Sequence, residues 1–306
     1  MRILFAGTPA NAAVTLRELV KNGFDIVAVL TREDAQIGRA KTLMPSAVAA
    51  AAIELNIPII KSNRVDDAAL AQVLSHKVDL GVVVAYGAFL NRKALDSLKL
   101  GWLNMHYSLL PKYRGAAPVQ WAIKNGESAT GVTLFKLDEG MDTGPILKSV
   151  EAEIQPHETS GELLARLTHL GVSVLCEALP LVASELATYV DQSASGTMAP
   201  KLSRADARIR WSDSARQIEL QVRSMNPEPM AWCEFANNPL RILEAREESQ
   251  TSTLVAGTVY RDGAEVMVAC GSATSLRLMQ VQPAGKNVMS AKSWANGLQA
   301  SEVKLD

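Results

Sequence analysis

Two residues in the segment WLNMHYSLLPKYRGAAP, 102 to 118, have types and spacing that suit chemistry: Asn104 and His106, an amide and an imidazole two positions apart. In a strand, alternation aims both side chains at one face, and Pro111 then breaks the chain into a loop. A second polar cluster, Asp138, Glu139 and Asp142, follows a strand-like run in TGVTLFKLDEGMDTG, 130 to 144. A carboxylate from that turn, brought beside His106, would orient the imidazole and favour its protonated form. The same acids also suit a turn in which they bond to their own backbone. Amide, imidazole and carboxylate together fit acyl transfer to an amine. The first two can hydrogen-bond a carbonyl oxygen as it becomes an oxyanion, while a base takes the proton of the attacking amine. No GxSxG offers a serine nucleophile, and the four histidines form no HExxH, so no metal is expected.

Those residues need elements to hold them. Strand-length apolar runs alternate with helical lengths through the first 150 residues: ILFAG at 3 to 7, a helix to about residue 22, DIVAVLT at 25 to 31, an Ala-rich helix near 46 to 55, PII at 58 to 60, a helix near 66 to 76, DLGVVVAYG at 79 to 87 and GWLNMHYSL at 101 to 109. This order predicts βαβ units and a parallel sheet, a doubly wound, Rossmann-like α/β domain. The run GVVVA is apolar on both parities, as a strand covered on both faces requires. Ligands of such sheets gather at the carboxyl ends of the strands, so the loops after Ala6, Ala85 and Tyr107 form the candidate functional edge. The turn AGTPANAA lacks GxGxxG and makes no dinucleotide cradle. Thr159 and Glu162 read as the capping box of a long helix that carries Leu163, Leu164, Leu167, Leu170 and Val174 and is broken or kinked at Pro180.

The polar stretch DQSASGTMAPKLSRADAR, 191 to 208, reads as a connector, giving a first domain at 1–189, a linker at 190–207 and a second domain at 208–306. After a helix near 213 to 224, CEF, LRILEA, AGTVYR, EVMVAC and SLRLMQV are short strands that suit a small β-barrel or sandwich. A hydrophobic fraction of 48% against 21% charged residues argues for a folded chain. A formal net charge of -1 gives no overall pull toward nucleic acid or an anionic membrane, so such a partner must meet a local patch. Cys176, Cys233 and Cys270 have no CxxC spacing and read as small core residues in a reducing compartment. The N-terminal MRILFAGTPANAA has too short an apolar run for a signal peptide, and no run approaches the roughly 18 apolar residues of a membrane span. A cytoplasmic protein is expected.

The segments NMHYSLLPKYRGAAPVQWAIKNGESATGVTLFKLDEGMDTG (104–144) and APKLSRADARIRW (199–211), with FAGTP, GRAKTLMPS, VVAYG and VQPAGK elsewhere, resemble the methionyl-tRNA formyltransferases over nearly the whole chain. The resemblance implies transfer of the formyl group of 10-formyltetrahydrofolate, a co-substrate, to the amino group of initiator methionyl-tRNA. By it, Asn104, His106 and Asp142 match the catalytic triad, and Ser108, Leu109, Leu110 and Pro111 match the folate-binding stretch. The loop TREDAQIGRAKTLMPS, 31 to 46, matches the segment that grips the acceptor arm, with Arg39 and Lys41 placed to meet phosphates. The second domain becomes an OB-like β-barrel that supports tRNA binding. The implied partners are the initiator tRNA and the folate, with no membrane, and the implied state is a monomer. Two departures stand out: GRAKT is less basic than its counterpart in many relatives, and GTPANAA lacks the aspartate common after GTP.

Three other readings keep the same three residues: a formyl-folate hydrolase, a formyltransferase for an amino sugar nucleotide, and a non-catalytic binder of RNA or folate. The APKLSRADARI stretch and the β-rich tail favour the tRNA enzyme over the first two.

Overall fold

A computed structural model describes residues 1–37, 41–298 and 303–306. These divide into two compact units, one made of Met1–Gly115, Ala129–Glu153 and Leu164–Ala199, the other of Ala116–Ser128, Ile154–Leu163 and Pro200–Asp306. Chain order begins β1 (Ile3–Gly7), α1 (Ala10–Lys21), β2 (Ile26–Thr31), β3 (Ala35–Ile37), β4 (Thr42–Met44), α2 (Ala47–Glu54), β5 (Ile59–Lys61), α3 (Asp67–Ser75), β6 (Leu80–Val84), α4 (Arg92–Leu95), β7 (Trp102–His106), α5 (Pro118–Lys124), β8 (Ala129–Lys136), β9 (Ile146–Glu153) and α6 (Ser160–Ala183).

In the first unit seven strands form one sheet in the order β5-β2-β1-β6-β7-β8-β9. Strands β5 to β7 pair in parallel, as the alternation of strand and helix dictates. Strands β8 and β9 depart from that expectation and run antiparallel. The sequence of β9, ILKSVEAE, sets charged and small residues at every second position, which suits an edge strand and hides it from a search for apolar runs.

Alternation along β7 gives it two different faces. Trp102, Asn104 and His106 lie on one, and Leu103 and Met105 on the other. Trp102 joins a core with Leu4, Leu30, Leu70, Val73 and Ala94, and its indole Nε1 donates to the Ala94 carbonyl at 2.8 Å. Gly81 on β6 makes room for that ring, since a Cβ there would sit 2.1 Å from Trp102 Cε3. Replacing Gly81 with alanine therefore overpacks a closed site, and an equilibrium urea titration will show about 1–3 kcal/mol of lost stability. An unchanged midpoint would mean that the indole shifts at no cost.

On the opposite face, Gly171 of α6 meets Met105, whose Sδ would lie 2.3 Å from an added Cβ. Helix α6 is capped by Thr159 and Glu162 as the sequence suggests: Thr159 N donates to Glu162 Oε2 at 2.8 Å and Glu162 N to Thr159 Oγ1 at 3.3 Å. Pro180 does not end it. The proline lies in the last turn, where only one further intrahelical bond is forfeited, and the helix closes at Ala183. At 24 residues α6 is long and apolar enough to cross a membrane by length and composition alone, but half of that stretch is buried within the protein, as befits a core helix.

Within residues 31 to 46, β3 and β4 pair antiparallel as a short ribbon. Cys233 and Cys270 are buried, and burial pushes both thiols up to about 12, but Cys176 is only half-buried, on α6.

The second unit adds α7 (Ala215–Met225), β10 (Trp232–Phe235), β11 (Asn238–Glu248), β12 (Thr258–Asp262), β13 (Glu265–Ala269), β14 (Ser275–Pro283), β15 (Met289–Ser290), α8 (Ala291–Asn296) and β16 (Val303–Lys304). Its sheet runs β10-β11-β14-β13-β12-β16, antiparallel throughout. Reciprocal bonds of 3.1 Å between Asp306 and Glu234 carry the ring back to β10, so the sheet is a nearly closed barrel rather than a sandwich. Helix α7 begins with a capping box of Ser214 and Gln217 and lays Ile218, Val222 and Met225 against the barrel. Buried Glu219 accepts from Glu247 N at 2.8 Å and pairs with His157 Nδ1 at 2.9 Å, which ties residues 154–163 into this unit.

Candidate active site

The carboxyl end of β7 holds Asn104, in register with Phe135 of β8, and His106, in register with Thr133. Asn104 is half-buried, and among the described residues no hydrogen bond engages its side-chain amide. Its donors are left for a ligand. His106 is 5% exposed, with the edge of Phe135 packed against it, centroid to centroid at 6.4 Å and an interplanar angle of 85°.

The ring nitrogens of His106 have different partners. Nε2 lies 2.8 Å from the carbonyl of Tyr113, and a carbonyl only accepts, so Nε2 carries the proton of the neutral ring. Nδ1 then presents its lone pair, and Asp142 Oδ2 stands 3.7 Å from it. Burial pulls the imidazole pKa below its ordinary value of 6.5, with the Asp142 carboxylate and the Tyr113 carbonyl pulling the other way. The outcome is a neutral base whose protonated form has a carboxylate ready beside it.

Of the three acids in the 138–142 turn, only Asp142 reaches His106. Asp138 accepts from Gly140 N at 3.1 Å and from Thr143 Oγ1 at 2.8 Å, a turn bonded to itself, and Glu139 faces Arg92 at 3.7 Å. Asp142 has φ of 54°, a left-handed conformation that costs energy in a residue with a Cβ, and its Oδ2 accepts from Gly115 N at 2.8 Å. Gly115 has φ of 121°, and a Cβ on it would press to 2.8 Å from the Ala199 carbonyl, so only glycine brings this N–H to the carboxylate.

Between His106 and Gly115 in the chain lies the stretch Ser108 to Pro111. Ser108 is fully buried, its Oγ donating to Lys112 O at 2.6 Å and its carbonyl accepting from Thr133 Oγ1 at 2.7 Å. Leu110 is buried too, and its N–H donates to Thr133 Oγ1 at 3.2 Å. Leu109 and Pro111 are partly exposed. Lys41 is exposed at the turn of the β3–β4 ribbon, away from any hydrogen-bond partner among the described residues, and Arg39 lies outside the described residues. A separate cleft of about 520 Å³, lined by Arg92, Leu98, Lys136 and Glu139 among others, does not include His106.

The chain has known relatives. Residues 1–179 match the model of a family described as formyl transferase, and residues 201–299 match that of the formyl transferase C-terminal domain. The chain belongs to the formyl transferase family. Among its relatives, a methionyl-tRNA formyltransferase of Arthrobacter sp. (strain FB24) is 43% identical over 302 residues, covering 99% of this chain and 98% of the relative. One from Corynebacterium diphtheriae is 40% identical over 310 residues, covering 99% and 98%. Solved structures share the fold at low identity. HypX from Aquifex aeolicus has a TM-score of 0.68 at 16% identity, over 98% of this chain and 48% of that one. WlaRD, a sugar 3N-formyl transferase, has a TM-score of 0.65 at 18% identity, over 94% and 99%.

In this formyl transferase the residues that sequence reasoning overlooked lie in the stretch read as a connector. Gln192 Nε2 donates to the carbonyls of Asp142, at 2.9 Å, and Gly144, at 2.7 Å. Its Oε1 accepts from Nη2 of the buried Arg114 at 2.7 Å. Thr197 accepts from Tyr113 N at its Oγ1 and from Arg114 N at its carbonyl, both at 2.8 Å. Polar composition alone gives no sign of these bonds; a glutamine among small residues is indistinguishable from linker until its partners are known.

Proposed function

We propose that this formyl transferase is a methionyl-tRNA formyltransferase, moving the formyl group of 10-formyltetrahydrofolate to the free amine of initiator methionyl-tRNA for translation initiation. The observation that carries the reading is the match along almost the full length, in both parts of the chain, to relatives that bear that name. The protein is read as a cytoplasmic monomer, with a catalytic domain at 1–189, a linker at 190–207 and a barrel domain at 208–306.

The chemistry follows from the atoms available. The amine nitrogen attacks the formyl carbon, and the carbonyl oxygen, becoming an oxyanion, takes a hydrogen bond from the Asn104 amide. The proton lost by the amine goes to Nδ1 of His106, where the Asp142 carboxylate stabilises the imidazolium at 3.7 Å. As the bond from carbon to N10 breaks, that proton passes to N10. The new amide and tetrahydrofolate leave, with no covalent enzyme intermediate and no metal step. Ser108, Leu109, Leu110 and Pro111 line the folate side; because the Ser108 hydroxyl is already engaged, the stretch serves through backbone atoms and the exposed edges of Leu109 and Pro111. Lys41, with Arg39, meets phosphates of the acceptor arm.

Transfer of labelled formyl from 10-formyltetrahydrofolate to charged initiator tRNA, to an amino sugar nucleotide, or to no acceptor tests this. Label is expected on methionyl-tRNA alone. Label on the sugar, or free formate in every reaction, would reassign the substrate while leaving Asn104, His106 and Asp142 in their roles; binding of RNA with no turnover would make the protein a binder.

A further inference from the structure

We infer that Gln192 is a positioning residue for the His106–Asp142 pair, and that residues 192 to 197 act as a strap that sets the geometry of proton transfer. The inference rests on the reading of this site as the place of formyl transfer. Asp142 is held in a left-handed conformation, so its loop needs something outside itself to keep it there. Gly115 N holds the carboxylate, and Gln192 holds the backbone. Its two amide hydrogens go to two carbonyls of the same loop, Asp142 O and Gly144 O, at 2.9 and 2.7 Å. The amide is itself fixed by Arg114, whose Nε and Nη2 lie 3.2 and 2.7 Å from Gln192 Oε1. Arg114 also donates from Nη2 to the Ser193 carbonyl at 3.2 Å.

The same strap acts on the other member of the pair. Thr197 receives the N–H of Tyr113 at 2.8 Å, and Tyr113 supplies the carbonyl that holds His106 Nε2, also at 2.8 Å. Gly115, next to Arg114, gives its N–H to the Asp142 carboxylate. One segment thus fixes both partners of a separation of 3.7 Å, from residues that touch neither reacting atom. Geometry of that kind is costly to lose, since a misplacement of about 1 Å can slow a reaction by roughly 100-fold.

Gln192→Glu separates positioning from scaffolding. A carboxylate keeps the acceptor for Arg114 but has no hydrogens for the Asp142 and Gly144 carbonyls and repels them. Gln192→Met removes both functions at similar volume and serves as the second variant. Measured beside the unmodified protein with 10-formyltetrahydrofolate and methionyl-tRNA, both variants are expected to lose about 10- to 100-fold in kcat with KM for either substrate within threefold. The imidazole resonances of His106, assigned by their absence in His106→Asn, are expected to titrate at lower pH in Gln192→Met, which adds no charge, because the carboxylate that raises the ring's affinity for a proton has moved away. A kcat within threefold of the unmodified protein would overturn the inference. So would a His106 titration left in place, a rise in KM at constant kcat, or loss of the folded state in both variants, which would make Gln192 a scaffold residue only. Failure of the unmodified protein to transfer formyl to methionyl-tRNA counts instead against the proposed substrate, and the His106 titration still tests the strap.

Discussion

Asn104→Ala will lower kcat for formyl transfer by about 100- to 1,000-fold, the effect of deleting one preorganised donor to a developing oxyanion. The loss should fall on kcat rather than KM, because a neutral formyl oxygen in the ground state gains little from a donor that matters when charge develops. The fold should not suffer. Among the described residues the Asn104 amide holds nothing else in place, and the register of β7 with β6 and β8 rests on backbone bonds and on Trp102. Steady-state rates at saturating folate and tRNA, with a thermal melt of each protein, check both halves. A fall of less than fivefold would remove Asn104 from the oxygen.

Asp142→Asn is expected to cost at least as much, about 100- to 10,000-fold in kcat, and for a different reason. The amide oxygen can still accept from Gly115 N, and Gln192 still holds the Asp142 and Gly144 carbonyls, so the loop stays where it is, but the charge beside His106 Nδ1 is gone. Burial already holds that imidazole below 6.5 and Asp142 opposes burial, so the variant ring must titrate lower still. The sign for stability follows. In the unfolded chain the histidine protonates near 6.5, whereas in the folded protein it resists protonation. Its contribution is therefore intact above about pH 6.5 and is lost as pH falls from there through the lower folded value. His106 in Asp142→Asn should make that acid loss deeper and His106→Asn should remove it, both readable from urea midpoints between about pH 7 and 5. Equal midpoints in the unmodified protein and His106→Asn at every pH would mean that the ring is hydrated in the folded state.

Asn104 and His106 were legible in the sequence because strand alternation is local: two residues apart in WLNMH suffices to put both on one face. The same holds for the parallel strands, whose apolar runs need no partner to be recognised. The choice of Asp142 over Asp138 and Glu139 was not legible from spacing, since it depends on a left-handed residue and on a bond to the distant Gly115 N. Strand β9 escaped notice because an edge strand with charges at alternate positions looks like a loop. The hold of Gln192 on Asp142 spans 50 positions, and no periodicity reports a pairing of that range. What the family resemblance added was the identity of the third residue and of the substrates, which the residues alone left open.

The grouping of α5 with the second unit has a consequence in time. Val119, Ala122 and Ile123 on this short helix are 2%, 0% and 1% exposed, and α5 packs on α7. A helix of 7 residues does not persist alone in water. Yet Lys124 is synthesised about 100 residues before Met225, the last residue of α7, an interval of roughly 5–20 s at ordinary rates of translation. Throughout it, the side of α5 that packs on α7 waits for its partner, although β7 and β8 on either side of it are already made.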